Sequence, residues 1–508
     1  MTEHLVGIKH IRDEVEILPT IGAEMSVIGL VGTAPGANSG TFPLNEPVYF
    51  NTSDGDAVAA LGASGWLPDA VRGVIDQLGV SQGAAKIVVV RVEPGEDDAE
   101  TVANVVGSSG SGTGIFALLE AGELHGVVPR IIVCEKTEWS NGNGVNAVTL
   151  LTQGSNLTEA PTITASGGGS DPGKVLPTFT AVMGTGADDD KVVSITMTSP
   201  GANLTAAPTL TFTGGGSDVG KVLPTASCTI ALLASPIVAS LVGVLNTLRG
   251  HAVLQGPASS YQAWLNWREA HQSDRLIPGA PQKALVQEGS STVQRDLAPR
   301  IAGVLVRRDN EFAGVPGRSA ANQPIYGIVG VSRRVRFALD NPNNEGGDLI
   351  VANGGFVVRG EVGVENSLGA GGFIYWGTDT LSEDPVWQFY NVTRMRDYIE
   401  LSQMKVLRHY LGRYNLDSQT VRAVVNTMVS HLESLKNRRH VIDFRVGFEK
   451  DKNSPEELRL GFLTVYFRAE EAPVFRKLTI NSRRYRDALT QMANQIATQL
   501  GSVATVQS

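Results

Sequence analysis

The sequence predicts a multidomain chain of mixed α/β and α+β class. Its core is built from N-terminal and C-terminal parts, with an all-β segment of two repeats inserted between them. Three observations carry this. Residues 25–92 read strand, helix, strand, the unit of an α/β layer. A Gly- and Thr-rich β-unit then occurs twice at a fixed offset with no helical pattern between the copies. From about residue 371 onward, short strands alternate with amphipathic helices, the pattern of a separate α+β body.

The 508 residues allow roughly two to four domains at about 150 residues each. Residues 1–22 set Val6, Ile8, Ile11, Val15 and Ile17 among many charges, with no partner strand nearby. Such a terminus is either a frayed tail or an arm that adds as an edge strand to another sheet. A first α/β segment spans 23–136. In it, 25–32 (MSVIGLVG) and 85–92 (AKIVVVRV) are near-continuous apolar runs, the signature of buried strands. Between them 67–80 carries Val71, Val74, Ile75 and Leu78 on one helical face. Residues 107–113 (GSSGSGT) interrupt the pattern like a linker, and 129–134 (PRIIVC) reads as a strand.

The all-β segment covers 137–232. Asn156-Leu157-Thr158 recurs as Asn203-Leu204-Thr205, and Ala160-Pro161-Thr162 as Ala207-Pro208-Thr209. The runs from Gly167 to Asp171 and from Gly173 to Thr178 recur from Gly214 to Asp218 and from Gly220 to Thr225, all at an offset of 47 residues. A second α/β segment, 233–354, supplies a helix over 238–248, a strand at 252–254, and a Trp- and Arg-containing stretch with Trp264, Trp267, Arg268 and Arg275. A C-terminal domain follows over 355–481. Its entry, 371–400, reads as strand, loop, aromatic second strand (Trp387, Phe389, Tyr390) and helix. Helices are expected at 392–411 and 417–439, then strands at 441–449, 458–468 and about 474–481. A C-terminal arm with a basic start (Arg483, Arg484, Arg486) occupies 482–508.

Composition narrows the function classes. A net charge of −9 does not suit phosphate neutralisation, so no nucleic-acid partner is expected. No run of 18 apolar residues is present, and the charged N-terminus is no signal peptide, so no membrane insertion is expected. Cys134 and Cys228 sit near the two ends of the all-β segment; two free thiols of a reducing compartment are the favoured reading over a pair. Gly168–Lys174 and Gly215–Lys221 fit the start of a phosphate-binding loop, but Val175 and Val222 stand where a hydroxyl is needed, and Pro177 and Pro224 forbid the following helix. The turn 32–37 lacks the dinucleotide-binding glycine spacing. Asp188, Asp189 and Asp190 read either as a calcium site or, better, as a hairpin tip. No His or Cys spacing suits zinc. No catalytic set, cofactor or metal is therefore expected, and the chain reads as a non-enzyme.

Trp376-Gly377-Thr378-Asp379-Thr380-Leu381, followed by Asn391-Val392-Thr393-Arg394 and Ile399, resembles the entry to the C-terminal domain of contractile phage tail sheath proteins. It is also similar to the sheaths of phage-tail-like contractile particles. The strand–helix–strand order of 129–134 and 238–257, and the run Ala298-Pro299-Arg300-Ile301-Ala302-Gly303 with Asp309, Ser319 and Asn322, match that family in order. Asp379 stands where the family commonly has Arg, Pro316 where it has Trp, and Ala320 where it has Pro. Ser319 and Asn322 are read as turn or cap residues.

The resemblance implies a structural subunit that stacks as rings around a tail tube and contracts to drive the tube through a host envelope. Its implied partners are further copies of itself, the tail tube protein, and baseplate and tail terminator proteins. The implied location is the virion tail, assembled in the bacterial host cytoplasm. It further implies inter-subunit arms, here Val6, Ile8, Ile11, Val15, Ile17, Leu478 and Ile480. A tube-facing basic set would be Arg408, Arg413, Lys436, Arg438 and Arg439, although the last three also suit the negative end of a helix dipole. An alternative is a surface decoration or glycan-binding module carried by the β-repeats.

Overall fold

The computed structural model describes residues 22–78, 84–339, 341, 343–360 and 372–504. The arm candidates Val6, Ile8, Ile11, Val15 and Ile17 lie outside these residues. The described chain forms two compact units, one ending at Pro473 and one beginning at Val474.

The larger unit is organised on a six-stranded sheet. Its early elements are β1 (Ile28–Thr33), β2 (Pro47–Asn51), helices α1 (Gly55–Ala60) and α2 (Trp66–Leu78), β3 (Lys86–Val92), α3 (Asp98–Val106), α4 (Ala121–His125) and β4 (Ile131–Cys134). β1 and β4 are buried at every residue, which explains their uninterrupted apolar sequences. β1 pairs in parallel with β3 on one side and β4 on the other, while β2 closes the edge antiparallel to β3. Both faces are covered. A side chain at Gly29 would meet Leu118 on one face, and a side chain at Gly32 would meet Trp66 of α2 on the other.

Between β4 and the next helix come six strands: β5 (Asn143–Thr152), β6 (Thr162–Gly167), β7 (Thr178–Met183), β8 (Val192–Ser199), β9 (Pro208–Thr213) and β10 (Thr225–Leu232). They form three antiparallel ladders, β5–β10, β6–β9 and β7–β8. Asn143 stands opposite Leu232, so the chain leaves this segment beside where it enters. The Asp188–Asp190 stretch lies in the turn between β7 and β8. Lys174 donates its ammonium to the Gly169 carbonyl, and no helix follows it, so the phosphate-loop look-alike is a closed turn. Both cysteines are free.

The sheet resumes after α5 (Pro236–Leu248) with β11 (His251–Val253), then α6 (Tyr261–Glu269) and β12 (Leu276–Ile277). β11 joins β4 in parallel and β12 joins β11, completing the order β12-β11-β4-β1-β3-β2. α6 pins both stems of the six-strand segment. The Trp267 indole donates to the Thr137 carbonyl at 3.1 Å, and the Ser235 amide donates to His271 Nε2 at 2.9 Å. His271 is in turn oriented by the Trp267 carbonyl at 2.6 Å.

A hairpin, β13 (Ala284–Glu288) and β14 (Ser291–Arg295), precedes α7 (Ala298–Glu311), which crosses α2 closely. Gly73 and Gly303 permit that approach. A Cβ at Gly303 would lie 2.7 Å from Gln77 Cγ and 3.1 Å from Val74 Cα. In the same contact the fully buried Arg300 forks onto Asp69 at 3.1 and 3.2 Å.

β15 (Gln323–Ile325), β16 (Gly330–Val331), α8 (Glu345–Val351), β17 (Phe356–Gly360) and β18 (Gly372–Trp376) follow, with β15-β18-β17 forming a small antiparallel sheet. The chain ends with α9 (Tyr390–Leu407), α10 (Ser418–Asn437), β19 (Val441–Phe448), α11 (Pro455–Arg459), β20 (Val465–Glu471) and α12 (Asp487–Ala504).

Three expectations for this C-terminal part are corrected. The aromatic second strand around Trp387–Tyr390 is reduced to a single bridge, Asp379 to Phe389, because Tyr390 already opens α9. The strand expected over 458–468 begins only at Val465, since the Ser454 hydroxyl caps a helix over Pro455–Arg459. No strand forms over 474–481 among the described residues, where Leu478 and Ile480 find no ladder partner in their own chain.

We expect Gly303→Leu to destabilise the fold by about 2–3 kcal/mol through overpacking against the α2 backbone. Gly243→Ala, at an exposed helical position with nothing within 4 Å of the new Cβ, should raise the melting temperature instead. Thermal unfolding of the two variants checks both signs.

Candidate assembly interface

α9 is the element through which the C-terminal part is fastened to the sheet. Asp397 receives Arg275 at 2.7 Å, Glu400 pairs with Arg249, and Thr393 Oγ1 lies 2.9 Å from His251 Nε2, all three partners flanking or lying in β11 and β12. Arg394 reaches the other way. Its guanidinium forks onto Asp309 of α7 at 2.5 and 3.2 Å and donates to the Met25 carbonyl at 3.3 Å, while the Ser26 hydroxyl donates to the same carboxylate. Asp309 and Arg394 are both buried. Burial pushes the Asp309 carboxyl up, and the guanidinium opposes that shift. Tyr390, its hydroxyl pushed up to about 12 by burial, accepts from the Ala320 amide and donates to the Gly377 carbonyl. Ser319 and Asn322 thus serve the packing of this loop: Ser319 Oγ also accepts from the Ala321 amide, and Asn322 sits at φ +59°.

Behind α9, α10 runs antiparallel to it. Met395, Tyr398 and Ile399 pack on Leu432, Leu435 and Val441 in a core separate from that of the sheet. His431 belongs to this contact, 6.2 Å from the Tyr398 ring, and neither of its ring nitrogens has a hydrogen-bond partner among the described residues. His440 lies against Phe312. Burial lowers both imidazoles to about 4, with Arg318 and Arg438 adding to the effect at His440.

The outer surface here is a two-stranded antiparallel sheet, β19–β20, with Phe444 opposite Ala469. Each strand has one ladder partner among the described residues. Two strands alone make a marginal sheet, and the outward N–H and C=O groups form a template for further strands. The smaller unit supplies apolar groups with no cover of their own. Phe475, Leu478 and Ile480 are 78, 66 and 77% exposed, and Leu489, Met492, Ile496 and Leu500 form an exposed stripe along α12.

The five basic candidates are all exposed but do not form one patch. Arg408 and Arg413 follow α9 and precede α10, whereas Lys436, Arg438 and Arg439 lie at the far end of α10. A 20-residue helix separates the two sets by about 30 Å. Lys436 is engaged with Asp443 at 2.7 Å, and Arg413 lies 3.1 Å from His409 Nδ1.

Beyond the carboxyl ends of β1 and β4, where open α/β sheets usually hold ligands, lies a polar cavity of about 320 Å³ whose charged lining groups pair largely with one another. Glu135 Oε2 accepts from both the amide and the hydroxyl of Thr33 at 2.8 Å, taking the donors an anion would need. Lys283 is bound between Glu138 and Asp296, each at 3.1 Å. Among the described residues no His, Cys, Asp and Glu side chains group as a metal site, and no helix is long and apolar enough to cross a membrane.

Relatives place this architecture. The tail sheath protein of Escherichia phage P2 is 21% identical over 491 residues, covering 94% of this chain and 95% of its own length. That of Burkholderia phage BcepMu is 25% identical over 503 residues, with 94% and 96% covered. Along nearly its whole length this chain is similar to phage tail sheath proteins. The major tail sheath protein of Serratia phage KSP20 is 32% identical over 139 residues, 26% of this chain and 34% of that one. The fold is that of contractile injection system sheaths. The contracted sheath of the extracellular system PVC superposes with a TM-score of 0.55 at 11% identity, covering 95% of this chain and 98% of that one. The contracted helical sheath of the anti-feeding prophage gives 0.53 at 13% identity, covering 96% and 100%. No protein-family model matches the chain.

Between about pH 6.5 and pH 4 the unfolded chain binds protons at His431 and His440 that the folded chain refuses, so these residues cost stability as pH falls through that window. His431→Phe keeps the packing on Tyr398 and removes the titration. We expect its melting temperature to exceed the parent's by more at pH 5 than at pH 8; an equal offset at both would refute the assignment.

Proposed function

We propose that this chain is the structural subunit of a contractile sheath, polymerising as stacked rings around a tail tube and contracting to drive the tube through a host envelope. The observation that carries the reading is co-extension: nearly the whole chain aligns with nearly the whole of the phage P2 tail sheath protein. Its partners on this reading are further copies of itself, the tube protein, and the baseplate and terminator proteins that bound the sheath. It acts in the virion tail after assembly in the host cytoplasm, without nucleic acid, membrane insertion, cofactor or catalysis.

Residues 1–22 and the segment from Val474 onward act as arms, and the outer edges of β19 and β20 in a neighbouring copy receive them. The exposure of Leu478 and Ile480 and the open ladder edges support this pairing. Residues 23–136 and 233–354 form one α/β body, 355–473 the tube-facing body, and 137–232 an inserted all-β domain on the outer surface. Adjacent entry and exit at Asn143 and Leu232 favour that insertion reading. A glycan-binding role for the insertion draws no support: of its three aromatic rings, Phe179 and Phe212 are buried, and Trp139 is half-buried against the core of the α/β layer.

Chains lacking residues 1–22 or 474–508 should unfold at nearly the parent temperature yet give no ordered tubes by electron microscopy. Ordered tubes from either truncation would sink the arm assignment. Arg438→Glu with Arg439→Glu should weaken sheath assembly on tubes at low salt and less so at high salt. Unchanged assembly at both would exclude these two from the tube contact.

A further inference from the structure

The six strands between β4 and α5 are two copies of a three-strand unit, and every ladder among them joins one copy to the other. At the 47-residue offset, β5 corresponds to β8, β6 to β9 and β7 to β10. The ladders are β5–β10, β7–β8 and β6–β9, so no strand pairs within its own copy. The two outer ladders have identical register. Thr180 opposite Thr196 becomes Ser227 opposite Thr149, and the bulges after Thr178 and Val182 recur after Thr225 and Thr229. In the central ladder Thr164 faces Thr211, its own equivalent. A local twofold axis therefore passes between those two threonines.

The repeated motifs are the ones that cross this axis. Thr158 N–H donates to the Gly215 carbonyl, and Thr205 N–H to the Gly168 carbonyl. Asn156 Nδ2 donates to Gly220 and Asn203 Nδ2 to Gly173, at 3.0 and 3.2 Å. A Cβ at Gly216 would meet Thr158 Oγ1 at 1.7 Å, and one at Gly169 would meet Thr205 Oγ1 at 1.8 Å. The Asn-Leu-Thr turn of each copy is thus seated in the Gly-Gly-Gly loop of the other. The core is shared likewise, Val145 and Phe179 of the first copy packing with Leu204, Leu210 and Phe212 of the second. One copy alone would have no ladder and half a core.

We propose that each 47-residue repeat is half of a self-complementary pairing module, whose natural partner is a second copy of the same unit. Within one chain the sister repeat fills that role. A chain reduced to a single repeat closes instead on the repeat of another chain, making a symmetric dimer through strands equivalent to β6 and β9. This rests on the ladder register and not on the sheath reading, so it stands or falls separately.

The axis supplies the test. Deleting residues 184–230 of the full chain removes one whole repeat length and joins Met183 to Ala231 in phase with the host. In that chain Thr164→Cys places a thiol directly opposite the same thiol of a second chain. Thr162→Cys is the register control: its partner position, Thr213 in the intact chain, corresponds to Ser166 in the deleted one. Total lysates are oxidised mildly and run without reductant, so solubility does not decide the outcome. A covalent dimer several-fold stronger for Thr164→Cys than for Thr162→Cys is expected, together with its loss when Thr164→Cys is placed in the undeleted chain. Equal cross-linking of both variants, cross-linking of neither, or equally strong cross-linking in the undeleted chain would overturn the proposal.

Discussion

The buried pair between Asp309 and Arg394 is the contact on which the larger unit depends. It joins α7, which packs on the sheet, to α9, which carries the C-terminal elements, and it also takes up the Met25 carbonyl and the Ser26 hydroxyl beside β1. Two charges withdrawn from water are costly unless their hydrogen bonds are met, and here the fork geometry and Ser26 meet most of them. Such a pair adds little net stability over an apolar contact of equal volume. It does fix which turn of α9 faces which turn of α7, because any slip would strand a charge. Arg275–Asp397 and Arg249–Glu400 repeat the device on the β11 side. A body clamped on two faces moves as one piece, which suits the proposed role in a sheath that contracts.

Against that rigidity stand the parts left without cover. Among the described residues β19 and β20 each have one ladder partner, and the unit beginning at Val474 carries exposed apolar side chains. Either feature alone would be an aggregation hazard. On the proposed arm reading the two features answer each other, one offering backbone donors and acceptors and the other a chain that lacks a ladder among the described residues.

The six-strand segment follows a different logic. Its two stems are held beside each other by Trp267 and His271, which bond Thr137 and Ser235. Within the segment, stability comes from pairing of two equivalent units, and its glycines stand where the partner's threonine leaves no room for a Cβ.

The sequence by itself determined the local elements and much of their order. The short apolar runs of β1, β3 and β4, rich in Val and Ile, read as buried strands, and the 47-residue offset shows in the chain without any structure. The Trp-Gly and Asn-Val-x-Arg stretches carried the family likeness that the phage relatives bear out. Only the tertiary structure decided which distant residues meet. Arg394 and Asp309 lie 85 positions apart, and no periodicity links them. The basic residues around α10 look like one set in the sequence, yet the antiparallel helix pair sends them to opposite ends. The two β-repeats are legible in the sequence as copies, but only the ladders show that each strand pairs with the other copy. The physical reason is common to all three. Secondary structure follows from side-chain spacing along a few residues, whereas pairing across the fold is set by which surfaces remain to be buried once those elements exist.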